Sequence, residues 1–236
     1  MIDAVFKQKN GLHALVLAGG CGVLTGEQFF KLSTYLYAVD CPAVKMTTRQ
    51  TLVVLVPETK VEGVAKKAEE LGLVVGKYGN VIRNVKGCAG GDGLCKRALG
   101  DALGLGIEIQ TKYFGQETPK DFKISTAGCS RACTDPQCAD FGVIANGKDS
   151  FDIFIGGRGG SPNPLRGQLI KEKVGREDIF KVLDYVLTQY RTNAEPHERL
   201  CRTINRVGLE IFIPGEAVVS SRHEEADRDF AAFLAG

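Results

Sequence analysis

What this chain lacks narrows its possible functions first. Thirty lysines and arginines face 28 acidic residues, so the net charge of +2 offers none of the basic excess expected of a nucleic-acid surface. No run is long and apolar enough to span a bilayer, and no internal repeat marks a solenoid. No low-complexity tract points to disorder. Eight cysteines in 236 residues are too few for a disulfide scaffold. No nicotinamide or flavin motif is visible. The segment GLHALVLAGGCG has the outline of a lipoprotein leader, but its apolar run is short and contains His13. Ala18 stands three residues before Cys21, and Asp3 spoils a basic start, so the expected location is the cytoplasm.

What is present is an uneven distribution of thiols. Cys88 and Cys95 form a pair with six residues between them, and TAGCSRACTDPQC (126–138) holds Cys129, Cys133 and Cys138. Cys21, Cys41 and Cys201 are scattered and read as small buried hydrophobes. Close groups of cysteines in a reducing compartment read as metal ligands. Four thiols in two pairs suit structural zinc or an iron–sulfur cluster. Zinc knuckles usually enclose about two to four residues, so the first pair is wide for zinc. The glycines of CAGGDGLC let backbone approach a bulky cofactor and turn N–H groups toward sulfur. Cys138 lies beyond the turn signal Asp135-Pro136 and reads as a bystander.

Basic residues gather near the same motifs. Arg49, Arg83, Lys120, Lys123 and Arg131 lie in or beside glycine- and cysteine-rich stretches rather than on amphipathic helix faces. Arginine forks and lysine point charges suit carboxylates and small anions, which suggests an anionic cofactor, an anionic substrate, or both.

The element pattern is mixed. A strand is expected over 12–18, and Thr25 with Gln28 makes a capping box for a helix to about Ala38, with Leu24, Phe29, Leu32 and Leu36 near one face. One or two strands are expected over 44–57, then an amphipathic helix over 61–72 stopped by Gly72. Strands follow over 122–126, 141–145 and 151–157. Helices are expected over 93–104, 176–190 and 195–207, with a terminal helix over 220–236 packing Phe230, Phe233 and Leu234.

Four segments in order then carry a family resemblance: VKMTTRQTLVV, VIRNVKGCAGGDGLCKRAL, FKISTAGCSRAC and FGVIANGKDSFDIFIGGRGG. Together they resemble the nitrite and sulfite reductases that couple sirohaem to a 4Fe–4S cluster, and the likeness covers roughly residues 12–212. It implies an α+β fold: a ferredoxin-like half-module over 1–76, then a sirohaem- and Fe–S-binding α/β domain with a mixed sheet over 77–236. A single copy of each part resembles the small, single-module, assimilatory-type sulfite reductases.

By this resemblance Cys88, Cys95, Cys129 and Cys133 hold the cluster, and Cys133 also bridges to the sirohaem iron. Lys45, Thr47, Arg49 and Gln50 match sirohaem-binding positions, with Lys120 and Arg131 added from their place beside the motifs. Arg83 and Lys123 match positions that bind the substrate oxyanion, with Arg49 next to them. The implied activity is six-electron reduction of sulfite to sulfide. The alternatives are reduction of nitrite to ammonia, or a cofactor-binding electron-transfer subunit without turnover. A structural zinc domain would leave the T-x-R-Q and R-N-V motifs unexplained. A ferredoxin or flavoprotein donor is implied, and a homodimer could rebuild the tandem arrangement of larger members. No nucleic-acid or membrane partner is expected. The sequence departs from the family in two places. Six residues, rather than five, separate the first two cysteines. Asp121 stands where a second lysine is common, with Lys120 one earlier, and a carboxylate there weakens anion binding unless it faces away.

Overall fold

The computed structural model describes residues 4–91, 93–216 and 218–219. Among them the chain forms two sheets and five α-helices. The first sheet contains β1 (Val5–Lys7), β2 (His13–Ala18), β3 (Ala43–Met46), β4 (Leu52–Val56) and β5 (Val74–Val75). All its pairings are antiparallel, in the order β1-β2-β4-β3, with β5 joining the end of β2 at Leu17 and Ala18. Helix α1 (Gly26–Ala38) starts at the expected capping box: Thr25 Oγ1 accepts from Gln28 N at 3.1 Å, and Gln28 Oε1 accepts from Thr25 N at 2.8 Å. Its Leu32 and Leu36 are buried, while Phe29 points outward and is 54% exposed. Helix α2 (Val61–Glu70) buries Val61, Val64, Ala65 and Ala68 against Leu15, Leu17, Val54 and Val56 of the sheet. Gly72 ends it at φ +73, with Leu73 N donating to Ala68 O and Gly72 N to Glu69 O, the paired bonds of a Schellman turn.

The second sheet runs β10-β9-β8-β7-β6, from β6 (Lys86–Gly87), β7 (Ile124–Ala127), β8 (Phe141–Gly147), β9 (Ser150–Ile155) and β10 (Gln168–Val174). Strands β6, β7 and β8 are parallel, whereas β8-β9 and β9-β10 are antiparallel. The expected α+β class with a mixed second sheet is therefore the observed one. A second core forms on this sheet under α3 (Ala102–Tyr113), α4 (Arg176–Asn193) and α5 (Leu200–Val207), and it includes Phe122, Phe141, Ile153, Leu105, Ile109, Val182 and Tyr190. No helix among the described residues is long and apolar enough to cross a membrane.

The short strands β1, β5 and β6 lie outside the expected set, and three longer elements also depart from the sequence pattern. Residues 93–100 form turns, and α3 begins only at Ala102, where the Asp101 side chain accepts from Gly104 N at 2.8 Å. Strand β10 was not expected, because its register shifts at Leu169/Lys171 and again at Lys171/Val174 and so erase the two-residue alternation. Helix α5 starts at Leu200 rather than at 195, since the preceding turn is organised around Glu198. The terminal helix expected over 220–236 lies outside the described residues.

Glu198 accepts from Glu195 N (3.0 Å), Thr203 Oγ1 (3.0 Å) and Arg206 Nη2 (2.7 Å). The Arg206 hydrogen bond, helped by the other two donors and opposed by burial, holds this carboxyl at about 2, below its ordinary 4.5. A depressed carboxyl stabilises the fold above its unfolded value and loses that stabilisation as the pH falls toward the folded one. Glu198→Gln should therefore lower the melting temperature at neutral pH by about 2–4 °C, the effect of roughly 1 kcal/mol in a chain of this size. Thermal scans across pH check this: the gap to the unsubstituted protein should begin closing below pH 4.5 and vanish near pH 2.

Candidate cofactor and anion site

The thiols come together at the carboxyl ends of two parallel strands, the usual place for a ligand in an open sheet. Cys88 directly follows β6, and Cys129 follows β7 by two residues. The pairing Gly87↔Thr126 and the bond from Cys88 N to Thr126 O (3.1 Å) set these two segments side by side. The 93–99 turn is tied in by Leu99 N donating to Gly128 O at 2.7 Å. As a result Cys88, Cys95, Cys129 and Cys133 line one cavity of about 260 Å³, together with Arg97 and Arg131.

Two observations test what this cavity suits. No group of three or more His, Cys, Asp or Glu side chains among the described residues is arranged around a single ion. Four thiols spread around one cavity fit a cluster that meets each sulfur at a separate metal atom better than a lone tetrahedral zinc. The floor of the cavity is bare backbone. A Cβ on Gly90 would lie 2.8 Å from Gly128 Cα and 3.0 Å from Cys88 Sγ. Gly90 N and Gly128 N donate to Cys88 Sγ at 3.2 and 3.1 Å, turning backbone N–H groups toward the sulfur. The scattered cysteines behave otherwise. Burial pushes the Cys21 thiol up to about 12 and raises that of Cys201. Cys41 Sγ donates to Ala43 O at 3.3 Å.

A second cavity of about 350 Å³ is cationic. Arg49, Lys86, Lys123, Arg158 and Arg199 line it against one carboxylate, Asp135, along with Ser125 and Cys138. Lys123 and Ser125 alternate along the chain and so share a face of β7 and its approach. Arg49 is held by backbone: its Nη2 donates to Asn84 O at 2.8 Å, and the Asn84 amide donates back to Arg49 O. Burial, then the neighbouring Arg83 charge, lowers Arg49 to about 10, still cationic at neutral pH. Arg83 lies 3.7 Å over the Tyr78 ring centroid. The Nε atoms of Arg49, Arg83 and Arg199 are buried without an acceptor. Each such N–H costs about 1–3 kcal/mol if it stays unpaired, and an oxyanion or a ring carboxylate would satisfy it. The donor set fits an anionic group.

Asp121 does not line this cavity but pairs with two residues that do, Lys123 and Arg199. It accepts from Arg199 Nη1 at 3.1 and 3.3 Å and pairs with Lys123 Nζ at 3.1 Å. Arg199 Nη2 grips the buried Asp140 at 3.1 and 2.9 Å, and Asp140 Oδ2 also accepts from Lys123 N at 2.9 Å. Burial pushes Arg199 down, but Asp140 and Asp121 outweigh it and hold the guanidinium above its usual value.

Of the residues singled out from sequence, Arg49 and Lys123 line the cationic cavity, and Arg83 lies close enough to Arg49 to shift its pKa. Arg131 and the four cysteines line the thiol cavity. Thr47 and Gln50 line a third cavity of about 570 Å³. Their polar groups are engaged: Thr47 Oγ1 with Thr51 Oγ1 at 2.6 Å, and the Gln50 amide with both Gly87 O (2.7 Å) and Gly87 N (2.9 Å). Lys45 and Lys120 line none of these three cavities; Lys45 Nζ donates to Met46 O at 3.0 Å. Cys138 sits on the cationic wall, apart from the thiol cavity. Sequence reasoning missed Arg158, Lys86 and Arg199. A lone arginine inside GGRGG was a usable signal for Arg158, whereas Arg199 is 78 residues from Asp121 and 59 from Asp140 and carries no local signature.

Comparison with known proteins points the same way. Residues 78–220 match the family described as nitrite and sulphite reductase 4Fe-4S domain. The chain is 30% identical over 204 residues to "Nitrite reductase [NAD(P)H]" of Bacillus subtilis (strain 168), covering 86% of this chain but only 25% of that protein. It is 26% identical over 208 residues to "Sulfite reductase, assimilatory-type" of Nitratidesulfovibrio vulgaris (strain Hildenborough), covering 88% of this chain and 93% of the relative. Its fold superposes on dissimilatory sulfite reductase I (DsrI) with a TM-score of 0.77 at 14% identity, covering 89% of this chain and 69% of that one.

The bare floor of the thiol cavity gives a direct test. Gly128→Ala would place its Cβ 2.9 Å from Gly90 Cα and 3.1 Å from Gly100 O, so backbone must shift at the cavity. Iron and acid-labile sulfide per chain should fall below half of the value in the unsubstituted protein, with far-UV circular dichroism retained.

Proposed function

We propose that this chain, which belongs to the nitrite and sulphite reductase family, reduces sulfite to sulfide with sirohaem and a 4Fe–4S cluster as its cofactors. The observation that carries this reading is the juxtaposition of two cavities on one sheet, one lined by four thiols and the other by five cations. Sulfite is favoured over nitrite because the match spans 93% of the assimilatory-type sulfite reductase but a quarter of the nitrite reductase. Reduction of nitrite to ammonia is the second reading, favoured by the 30% identity to the Bacillus protein.

The roles follow from placement. Cys88, Cys95, Cys129 and Cys133 would hold the cluster, and Cys133 would also serve as a ligand to the sirohaem. When bound, the coupled pair supplies low-potential electrons one at a time to the sulfur of the anion. Arg49 would meet sirohaem carboxylates from the 47–50 turn, and Arg131 from the thiol side. Thr47 and Gln50 shape that turn through Thr51 and Gly87. Arg83 and Lys123, with Arg49 beside them, would bind the oxyanion oxygens and offset the charge that accumulates as oxygen leaves as water. The half-module over 1–76 supplies the Arg49 turn, and the unit over 77–236 supplies the thiols and Lys123. Electrons would come from a ferredoxin or flavoprotein, and a homodimer is the assembly we propose.

Anaerobic assays of the holoprotein with a low-potential reductant decide between the readings. Sulfide release with a higher kcat/KM for sulfite than for nitrite is expected; the opposite order would favour nitrite reduction, and cofactor spectra without turnover would mean an electron-transfer subunit. Lys123→Ala should lower kcat/KM for the preferred anion about 10- to 100-fold, the loss of a charge-assisted contact.

A further inference from the structure

Four charged groups at the edge of the cationic cavity are joined into one unit, and the sulfite reading assigns a role only to Lys123. Arg199 enters the cavity wall from the turn before α5. Its two Nη atoms span two carboxylates, Asp121 on one side and the buried Asp140 on the other, through four contacts of 2.9–3.3 Å. Those same carboxylates hold Lys123 at both ends. Asp140 Oδ2 accepts the Lys123 backbone N–H at 2.9 Å, and Asp121 Oδ2 lies 3.1 Å from Lys123 Nζ.

The charge count gives the consequence. Burial pushes the Asp140 carboxyl up, while the Arg199 guanidinium and the Lys123 N–H, donating to its two oxygens, oppose that rise. With Asp140 held as a carboxylate by these donors, Lys123 and Arg199 match Asp121 and Asp140 and the unit is neutral. Without Arg199 the Asp121 carboxylate would lose its guanidinium partner and lean on Lys123 Nζ beside a cavity that otherwise attracts anions. Lys123 would also lose the brace that fixes its direction. Without the Asp121 charge, the unit would turn net positive and Lys123 would face the cavity undiminished. The carboxylate at 121 is therefore tolerated because a guanidinium from a distant turn matches it, and the pair sets how strongly the wall attracts an anion.

We propose that Arg199 is a positioning residue of the anion cavity: by bridging Asp121 and Asp140 it offsets, together with Lys123, the charge of the two carboxylates and orients Lys123, and with Asp121 it sets anion affinity. This rests on the sulfite reading and deepens it. Asp121 and Arg199 should act with opposite signs, which a merely structural role would not produce.

Equilibrium titration of the oxidised holoprotein with sulfite, followed by its visible spectrum at low and high salt, tests this. Asp121→Asn keeps the shape and should tighten sulfite binding about 3- to 10-fold at low salt, with the gain shrinking as salt screens it. Arg199→Gln should weaken binding about 10- to 100-fold, and Arg199→Lys, which keeps the charge but not the fork, should fall between it and the unsubstituted protein. Combining Asp121→Asn with Arg199→Gln should recover part of the loss. If Arg199→Gln does not fold, Asp121→Asn decides alone: unchanged or weaker binding overturns the proposal. A failure of the unsubstituted holoprotein to bind either sulfite or nitrite would overturn the functional reading itself. Normal binding by that protein with no change in any variant would overturn only the role of Arg199.

Discussion

The docking of one turn onto one strand holds the site together. Residues 47–50 lie against residues 84–87 through two reciprocal pairs: Arg49 with Asn84, and Gln50 with Gly87. Each bond joins a side chain to backbone, so position, not charge alone, is fixed. The partner strand is β6, whose next residue is Cys88. A guanidinium facing the cationic cavity and a thiol facing the other are thus referenced to the same short piece of backbone. Gln110 adds a third brace from α3: its side-chain oxygen accepts from Val85 N at 2.9 Å, and its amide donates to Gly19 O at 3.0 Å. These buried polar contacts are satisfied at both ends, which makes them specify geometry instead of penalising burial.

The cations of the site fall into two kinds. Arg49 and Arg83 are held by groups that leave their charge intact, a backbone carbonyl and a tyrosine ring. Arg199 is held by two carboxylates that neutralise it. A buried cation without a counter-charge is costly, and the lowering of Arg49 by burial and by Arg83 is the physical sign of that cost. The protein keeps two such groups adjacent, an arrangement that an anionic ligand relieves. Conventional ion pairs lie farther out, as in Arg176 with Glu108 and Arg206 with Glu198, where they pin helices.

How much of this was legible in the sequence depended on how local each signal is. The Thr25–Gln28 capping box and the Gly72 stop are written within a few residues and were read correctly. Cys88, Cys95, Cys129 and Cys133 stood out by spacing, and they do line one cavity. The helix expected over 93–104 starts only at Ala102 because Leu99 N is bonded to Gly128 O, Leu94 and Leu99 stay exposed, and a true cap appears only at Asp101. Strand β10 was illegible because its bulges break the period that reveals strands. Gln50 and Thr47 were read as ligand-facing, yet their polar groups serve backbone and Thr51; a side chain's partner inside the chain cannot be told from spacing alone. Arg199 is the extreme case, since both of its partners lie far away in sequence.

The parallel register between β6 and β7 also acts as a ruler. Gly87 opposite Thr126 places Cys88 and the Cys129 loop at matching heights. A slip of one residue would shift one thiol pair by about 3.3 Å relative to the other and turn its side chains to the opposite face. Length can therefore change between Cys88 and Cys95, where the chain leaves the sheet and carries one residue more than its family resemblance leads one to expect. It cannot change between Gly87 and Cys88, or between Thr126 and Cys129, without the two halves of the ligand set losing step. In related chains, insertions and deletions should gather in the first stretch and be missing from the other two.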